Sequence, residues 1–177
     1  DFKEVIRMSS SRFQTQCIHG NHTKKNPAHA LNYPIFQSAS FSFENFEHVE
    51  KVFSFESEDY VYTRGNNPTL RLFEERMALL EEGSSAVAFA SGMAAISSTL
   101  FSLLKPGDAV VAHKTLYGST YNVVSKILPD YGIDVVLTDL TDKENFIRAI
   151  KKETKVVYFE TPANPSLAII DIAEIAE

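Results

Sequence analysis

The stretch from residue 86 to residue 104, AVAFASGMAAISSTLFSLL, constrains the fold more than any other part of the chain. It opens with an apolar run of strand length at residues 86–90, which ends at Ser91 and Gly92. Apolar residues then recur at the spacing of one helix face up to Leu103. Because Ser91 is a good N-cap, the pattern predicts a strand that leads directly into a capped helix. The free N–H groups of such a helix start favour an anion, most often phosphate, although an ordinary turn without a ligand has the same pattern.

Strand and helix patterns alternate beyond this stretch. Apolar runs of strand length lie at residues 108–113, 133–137 and 156–159. Helical patterns fill the two intervals, and the second begins with a capping box in which Glu144 follows Thr141 by three residues. Such alternation predicts an α/β fold with a mainly parallel sheet flanked by helices. Ligands of these sheets bind beyond the carboxyl ends of the strands, which selects residues 91–93, 113–117 and 160–164.

The pattern of residues 1–55 predicts an N-terminal arm rather than a domain, because this stretch has no long amphipathic repeat. Phe41 and Phe43 alternate with serine, which predicts a half-exposed strand, and residues 44–55 carry apolar side chains at helical spacing. An apolar arm without a core of its own must lie on another surface, either the rest of the chain or a second subunit. We expect a subunit contact.

A polar loop followed by a capped helix precedes the central stretch. Asn67 is suited to the N-cap and Pro68 to the first position of an amphipathic helix that ends at Gly83. The loop before this helix carries Tyr62 and Arg64 close together. An arginine and a phenol suit a phosphate clamp, although a surface arginine beside packed tyrosines has the same pattern.

The composition argues against several classes of protein. The 177 residues carry a net charge of −6, which disfavours a general nucleic-acid or membrane-surface binder. The single cysteine, Cys17, cannot form an intrachain disulfide, and the pair of His19 and His22 lacks a third ligand, so we expect no metal. The sequence shows neither an apolar run of membrane-spanning length nor a signal-peptide pattern, which predicts a cytoplasmic protein.

The last seven residues begin an amphipathic helix of about two turns, which is too short to be stable without support. A parallel sheet also rarely ends just after a strand and its ligand loop. We therefore expect the chain to be an N-terminal fragment of a longer protein, or one half of a nicked one.

Five motifs in the chain occur together in a recognisable order and spacing: PIFQSASFSF, YVYTRGNNPT, FASGMAA, KTLYGSTY and ETPANP. Through them, residues 30–177 resemble the N-terminal part of the Cys/Met-metabolism family of pyridoxal-phosphate (PLP) enzymes. The resemblance implies the PLP-dependent transferase-like fold (fold type I) in truncated form. It also implies that residues 56–177 are the first part of the large PLP-binding domain.

The resemblance implies how the cofactor phosphate is held. The backbone N–H groups of Gly92 and Met93 match the family's phosphate donors. Tyr62 and Arg64 match the pair that reaches the same phosphate across a dimer interface. These expectations agree with the helix start and the exposed loop noted above.

The resemblance also implies roles around the cofactor ring. Tyr117 matches the side chain that stacks on the pyridine ring, and it is the candidate catalytic proton carrier. Asn164 matches the side chain near the 3′-oxygen of the cofactor, while Glu160 in the same loop is expected to be structural.

The chain departs from the family pattern in two respects. The family usually has glycine directly before the Asn-Pro of the second motif, where this chain has Asn66, and asparagine tolerates the left-handed turn that glycine would form. Three family elements lie beyond Glu177: the lysine that holds the cofactor covalently, the aspartate beside the pyridine nitrogen and the arginine for the substrate carboxylate. Lys114 does not match that lysine, and we expect it to be a solvated loop lysine.

The resemblance implies that the full-length protein acts on a small amino acid. It also implies a homo-oligomer, in which two subunits form a dimer with shared active sites and the expected assembly is a tetramer. The first reading is γ-elimination from methionine or cystathionine. The alternative is γ-replacement on an O-acylhomoserine, which stays open because Ser119 stands where methionine-cleaving members typically carry cysteine. A non-catalytic PLP- or phosphate-binding fragment is the reading from another class. A nucleotide binder ranks last, since the glycine-rich nucleotide motifs are missing.

Overall fold

The structure is a computed structural model that describes residues 12–20 and 32–177. The chain divides into two compact units, Asp1–Ala88 and Phe89–Glu177, each of which is described by itself. Of the two histidines for which we expect no metal, His19 is described and His22 lies outside the described residues. The division into an arm of residues 1–55 and a domain from residue 56 stays a prediction.

The first unit contains three helices. They are α1 (Phe13–His19), α2 (Phe46–Phe53) and α3 (Pro68–Leu80). Asn45 caps α2 by accepting the N–H of His48 at 2.8 Å, which confirms the helical spacing seen in the sequence. Helix α3 ends as predicted near Gly83, but the left-handed residue is Glu82, with φ of 53°. The N–H of Gly83 then bonds to the carbonyl of Ala78 at 2.8 Å and closes the helix.

The predicted strand around Phe41 and Phe43 is wrong in extent. Residues 33–43 are not part of a strand, and among the described residues they form one antiparallel bridge, between Ser40 and Tyr62. The reason is the partner segment, which turns directly after Tyr62 because the N–H of Gly65 bonds to the Tyr62 carbonyl at 2.9 Å. Beyond Tyr62 the partner segment is therefore no longer placed to continue the pairing.

A buried asparagine joins the segment around Phe36 to the loop and to helix α3. Asn67 is 3% exposed, and its side-chain oxygen Oδ1 accepts a hydrogen bond from the N–H of Thr69 at 2.8 Å. Its amide donates to the Phe36 carbonyl at 3.1 Å and to Thr63 Oγ1 at 2.9 Å. Thr69 Oγ1 in turn accepts the N–H of Phe36 at 2.9 Å. The predicted N-cap is thus confirmed, and its amide also fixes two motifs that lie 31 residues apart.

The second unit alternates helices and strands. Its elements are α4 (Gly92–Leu103), β1 (Ala109–His113), α5 (Gly118–Asn122), a π-helical turn (Val123–Ile127), α6 (Leu128–Asp130), β2 (Asp134–Thr138), α7 (Lys143–Ala149), β3 (Thr154–Tyr158) and α8 (Ile172–Ala176). The strands form a parallel sheet in the order β2-β1-β3, which confirms the predicted α/β class. All five residues of the central strand β1 are buried.

Apolar layers cover both faces of the central strand. On one face, Val110 and Ala112 pack with residues of α4 and of the helical segment after β1, including Leu100, Val124 and Leu128. On the other face, Val111 packs with Leu140, Ala149 and Ile170. Burial on both faces explains why β1 reads as a continuous apolar run rather than an alternating one.

Two local expectations in this part of the chain are wrong. Residues 86–90 form no strand, since no described strand pairs with them, and Val87 is 72% exposed. The N-cap of α7 is Asp142, which accepts the N–H of Glu144 at 3.0 Å, rather than Thr141. The Thr141 hydroxyl instead donates a hydrogen bond to Asp139 Oδ1 at 2.7 Å. The helix therefore begins one residue later, with Asp142 as its N-cap.

Across residues 12–20 and 32–177, none of the helices combines the length and apolar character needed to span a membrane. In the same residues, no cluster of three or more His, Cys, Asp or Glu side chains could hold a metal ion.

The Asn67 contacts predict a stability difference between two neighbouring asparagines. Asn67→Ala should lower the free energy of unfolding by about 2 kcal/mol, because it removes an N-cap and leaves the Phe36 carbonyl without its donor. Asn66→Ala is the matched control, since Asn66 is exposed, and its effect should stay within about 0.5 kcal/mol. Urea denaturation of the full-length protein measures both. Equal midpoints for the two variants would contradict this role of Asn67.

Candidate functional site

The start of helix α4 presents two backbone donors. Ser91 Oγ accepts the N–H of Ala94 at 3.1 Å, and the Ser91 carbonyl accepts the N–H of Ala95 at 3.1 Å. The preceding donors, the N–H groups of Gly92 and Met93, have no acceptor among the described residues. This confirms the predicted cap and leaves the positive end of a 12-residue helix with two free donors.

Gly92 is not required by the packing of this chain. A Cβ built on Gly92 meets no heavy atom within 4 Å, and the residue does not have a left-handed φ. A glycine at the first helical position nevertheless costs conformational entropy on folding. The open space beside two free N–H groups therefore suits the close approach of a ligand from outside the chain.

Met93 connects this helix start to helix α5. Its sulfur lies 3.6 Å from the hydroxyl of Thr120, which is fully buried. Thr120 is one turn along from Tyr117, the residue that precedes α5. The contact therefore brings the loop after β1 next to the start of α4.

Tyr117 lies at the surface, but its backbone is fixed. The residue is 48% exposed, whereas its neighbour Leu116 is buried in the core. The N–H of Tyr117 donates to both carboxylate oxygens of Glu160, at 3.1 Å and 3.0 Å. The phenol ring is thus available to a flat ligand while the main chain below it is held.

Asn164 lies in the loop after β3 and contacts the same carboxylate. Its N–H donates weakly to Glu160 Oε2 at 3.4 Å, and the residue itself is exposed. The loop is anchored by Ala163, which is fully buried and whose N–H bonds to the Ala168 carbonyl at 2.9 Å. The role of Glu160 as a link between Tyr117 and Asn164 was not evident from the sequence, because hydrogen-bond partners 43 residues apart leave no local spacing signal.

The charged groups beyond β1 and β2 are engaged with each other. Lys114 Nζ lies 2.7 Å from Asp139 Oδ2, and hydrogen bonds from Lys114 and Thr141 hold the pKa of the Asp139 carboxyl well below its usual range. The Lys114 side chain is 58% exposed, in agreement with the expectation of a solvated loop lysine. His113 is buried, its Nδ1 accepts the N–H of Leu140 at 3.1 Å, and burial lowers the pKa of its imidazole.

Tyr62 and Arg64 lie in the first unit, on the turn held by Asn67. The Arg64 guanidinium carbon is 4.9 Å from the centroid of the Tyr62 ring, and both residues are exposed. The turn is closed by the N–H groups of Gly65 and Asn66, which bond to the Tyr62 carbonyl at 2.9 Å and 3.2 Å. Asn66 does not have a positive φ, so the left-handed conformation expected to replace the family glycine is not used.

The structure therefore links Gly92, Met93, Tyr117 and Asn164 within the second unit. Within the first unit, Tyr62 and Arg64 form a cation–π pair. The first group offers two amide donors, an open space beside them, an exposed aromatic ring and a side-chain amide. These features fit a phosphorylated aromatic ligand such as PLP. The pair in the first unit has the chemistry of a second phosphate contact.

Comparison with known proteins identifies the family. Residues 14–177 match the family described as Cys/Met metabolism PLP-dependent enzyme. An L-methionine γ-lyase of Fusobacterium nucleatum is 42% identical over 172 residues, which cover 97% of this chain and 43% of that protein. An O-succinylhomoserine sulfhydrylase of Mycobacterium tuberculosis is 45% identical over 129 residues, which cover 73% of this chain and 32% of that protein.

A solved structure shares the fold. A Campylobacter jejuni protein described as an O-acetylhomoserine (thiol)-lyase, with a pyridoxyl-lysine phosphate, has a TM-score of 0.82 and 31% identity, and the match covers 94% of this chain and 41% of that one. The predicted fold type I is therefore confirmed. The chain spans less than half the length of these relatives. It belongs to the Cys/Met metabolism family of PLP-dependent enzymes.

Proposed function

We propose that the full-length protein is a PLP-dependent enzyme of sulfur amino-acid metabolism that catalyses γ-elimination from methionine or cystathionine. The observation that carries the proposal is the start of α4, where two free N–H groups adjoin a glycine that the chain's own packing does not need. Family membership and the similarity to an L-methionine γ-lyase support it.

The residues of this chain would bind and orient the cofactor. The N–H groups of Gly92 and Met93 would hold its phosphate, and Tyr62 and Arg64 of a second subunit would contact the same group. Tyr117 would lie against the ring, and the Asn164 amide would contact the ring oxygen. When bound, PLP supplies the stabilisation of a carbanion, which is the difficult part of this chemistry.

Tyr117 is also the candidate acid for the departing group. A phenol beside the substrate can donate its proton to the sulfur or oxygen that leaves the γ-carbon. Because the N–H of Tyr117 is held by Glu160, the phenol would approach the substrate from a fixed point of the main chain.

The alternative is γ-replacement on an O-acylhomoserine. The 45% identity to an O-succinylhomoserine sulfhydrylase favours it, as does Ser119 in the position where methionine-cleaving members typically have cysteine. The same proposal includes a homo-oligomer, expected as a tetramer built from dimers with shared active sites. It also includes a cytoplasmic location.

An assay of the full-length protein separates these activities. γ-Elimination predicts release of 2-oxobutanoate from methionine or cystathionine in the absence of sulfide. γ-Replacement predicts that an O-acylhomoserine is consumed with sulfide and yields a sulfur amino acid instead. Absence of both reactions in protein that has bound PLP would contradict the proposal, and a protein that binds no PLP would contradict it more directly.

Tyr117→Phe should lower turnover about 100-fold or more, because it removes the proton donor but keeps the ring. The affinity for PLP should change less than about threefold, since stacking is retained. Steady-state kinetics and PLP titration of the full-length protein measure the two effects. Tyr121→Phe, an exposed tyrosine on the next turn, is the matched control and should keep wild-type turnover. Normal turnover in Tyr117→Phe would remove the proposed acid role.

Gly92→Val should weaken PLP binding about tenfold or more, because the side chain would occupy the space beside the two phosphate donors. The fold should remain intact, since no heavy atom of the chain lies within 4 Å of the added Cβ. Ser98→Val introduces the same side chain at an exposed position of the same helix and serves as the control. Fluorescence titration with PLP and thermal melting measure both variants. Equal PLP affinity in the two variants would show that no ligand approaches Gly92.

A further inference from the structure

Glu160 joins the two loops that follow β1 and β3. Its carboxylate accepts the N–H of Tyr117 through both oxygens, at 3.1 Å and 3.0 Å, and one oxygen lies 3.4 Å from the N–H of Asn164. The strands before these loops are neighbours in the sheet, with Ala112 opposite Tyr158. One side chain thus bonds to the main chain of two residues that the proposed function places around the cofactor ring.

The phenol side chain of Tyr117 cannot hold its own backbone in place. Tyr117 precedes helix α5 with a non-helical backbone, φ −50° and ψ 136°, and makes no side-chain cap hydrogen bond. The residue is 48% exposed, so the core encloses only part of it. The buried Leu116 fixes one side of the residue, and the Glu160 carboxylate fixes the N–H between Leu116 and the ring.

The main chain next to the Glu160 carboxylate is anchored to the buried core. Thr161 follows it directly, and the Thr161 hydroxyl lies 3.1 Å from both the carbonyl and the N–H of Ile170. Ile170 is buried in the core beneath the sheet. The position of the Glu160 backbone is therefore set by the fold and does not depend on the ligand.

We propose that Glu160 is a positioning residue that holds the main chain of Tyr117, and with it that of Asn164, in register with the cofactor ring. The inference rests on the proposed function, because it assigns Tyr117 and Asn164 their places at PLP. Glu160 acts through the hydrogen bonds that its oxygens accept and does not itself touch the substrate.

A second way in which Glu160 could act is through its charge. Burial raises the pKa of the Tyr158 phenol, and the Glu160 carboxylate raises it further. An effect of charge and an effect of hydrogen-bond geometry respond differently to substitution. Glu160→Gln removes the charge but keeps an oxygen that accepts the Tyr117 N–H, whereas Glu160→Asp keeps the charge but withdraws the oxygens by one methylene.

The test compares these variants in the full-length protein loaded with PLP. Glu160→Ala and Glu160→Asp should lower kcat about 10- to 100-fold, because a small misplacement of a group at the reacting centre has an effect of this size. They should also reduce the circular dichroism that the protein induces in the visible band of bound PLP by at least about half. Glu160→Gln should recover most of both signals. Glu153→Ala, an exposed glutamate of the same unit, is the control and should match the wild type.

The outcomes separate this inference from the proposed function. Wild-type dichroism and turnover in Glu160→Ala would overturn it. A Gln variant no better than the Asp variant would overturn it as well, since a hydrogen-bond acceptor in the original place would then not be enough. If Glu160→Ala does not fold, the comparison of Gln with Asp still decides between the two explanations. A wild-type protein without any PLP signal would instead contradict the proposed function, and the role of Glu160 would fail with it.

Discussion

The parallel pairing of β1 with β2 and β3 is the constraint on which the second unit depends. Because β1 is buried on both faces, its backbone groups must be paired on both edges, and the two neighbours supply those partners. Parallel pairing also brings the carboxyl ends of all three strands to one edge of the sheet. The loops that carry Tyr117, Asp139 and Glu160 therefore meet there, although they lie far apart in the sequence. Strand order, rather than any single motif, therefore brings Tyr117 and Asn164 together.

In the first unit, a single buried amide has the organising role. Asn67 satisfies the N–H of Thr69 and uses its two amide hydrogens on Phe36 and Thr63, so that little of its hydrogen-bonding capacity is left unused. A buried polar group that is fully paired fixes its neighbours in one arrangement. Here the neighbours include the turn that carries Tyr62 and Arg64, which explains why a loop so exposed has a defined shape.

Local features were predictable from the sequence, and features that need a distant partner were not. The caps at Ser91 and Asn67 depend on residues two or three positions away, so the sequence pattern identified both. Residues 86–90 have the composition of a strand, but a strand requires a neighbour, and composition does not supply one. The cap of α7 shows a subtler failure. Thr141 and Asp142 are both good capping residues, and the nearby Asp139 carboxylate engages the Thr141 hydroxyl and leaves the cap to Asp142.

The same distinction applies to the candidate site. The five motifs indicated which residues belong to it, but the contact between Glu160 and the Tyr117 N–H joins two motifs and is visible only in the fold. The resemblance placed Glu160 in the loop as a structural residue, and the geometry specifies what it supports.

The charges around the candidate site bear on how the proposed ligand would be held. The proposed ligand carries a phosphate dianion, and the start of α4 offers it two N–H groups and the partial charge of a helix dipole. The cation that follows β1, Lys114, is paired with Asp139 at 2.7 Å, and the carboxylate of Glu160 adds negative charge to the neighbouring loop. We propose Arg64 of a second subunit as one source of full positive charge for the phosphate. Arg64 is exposed, and its guanidinium carbon lies 4.9 Å from the centroid of the Tyr62 ring. A planar guanidinium can donate two parallel hydrogen bonds to a phosphate. Backbone donors from one subunit and a guanidinium from another would thus share one anion, so that binding the cofactor would also favour assembly of the subunits.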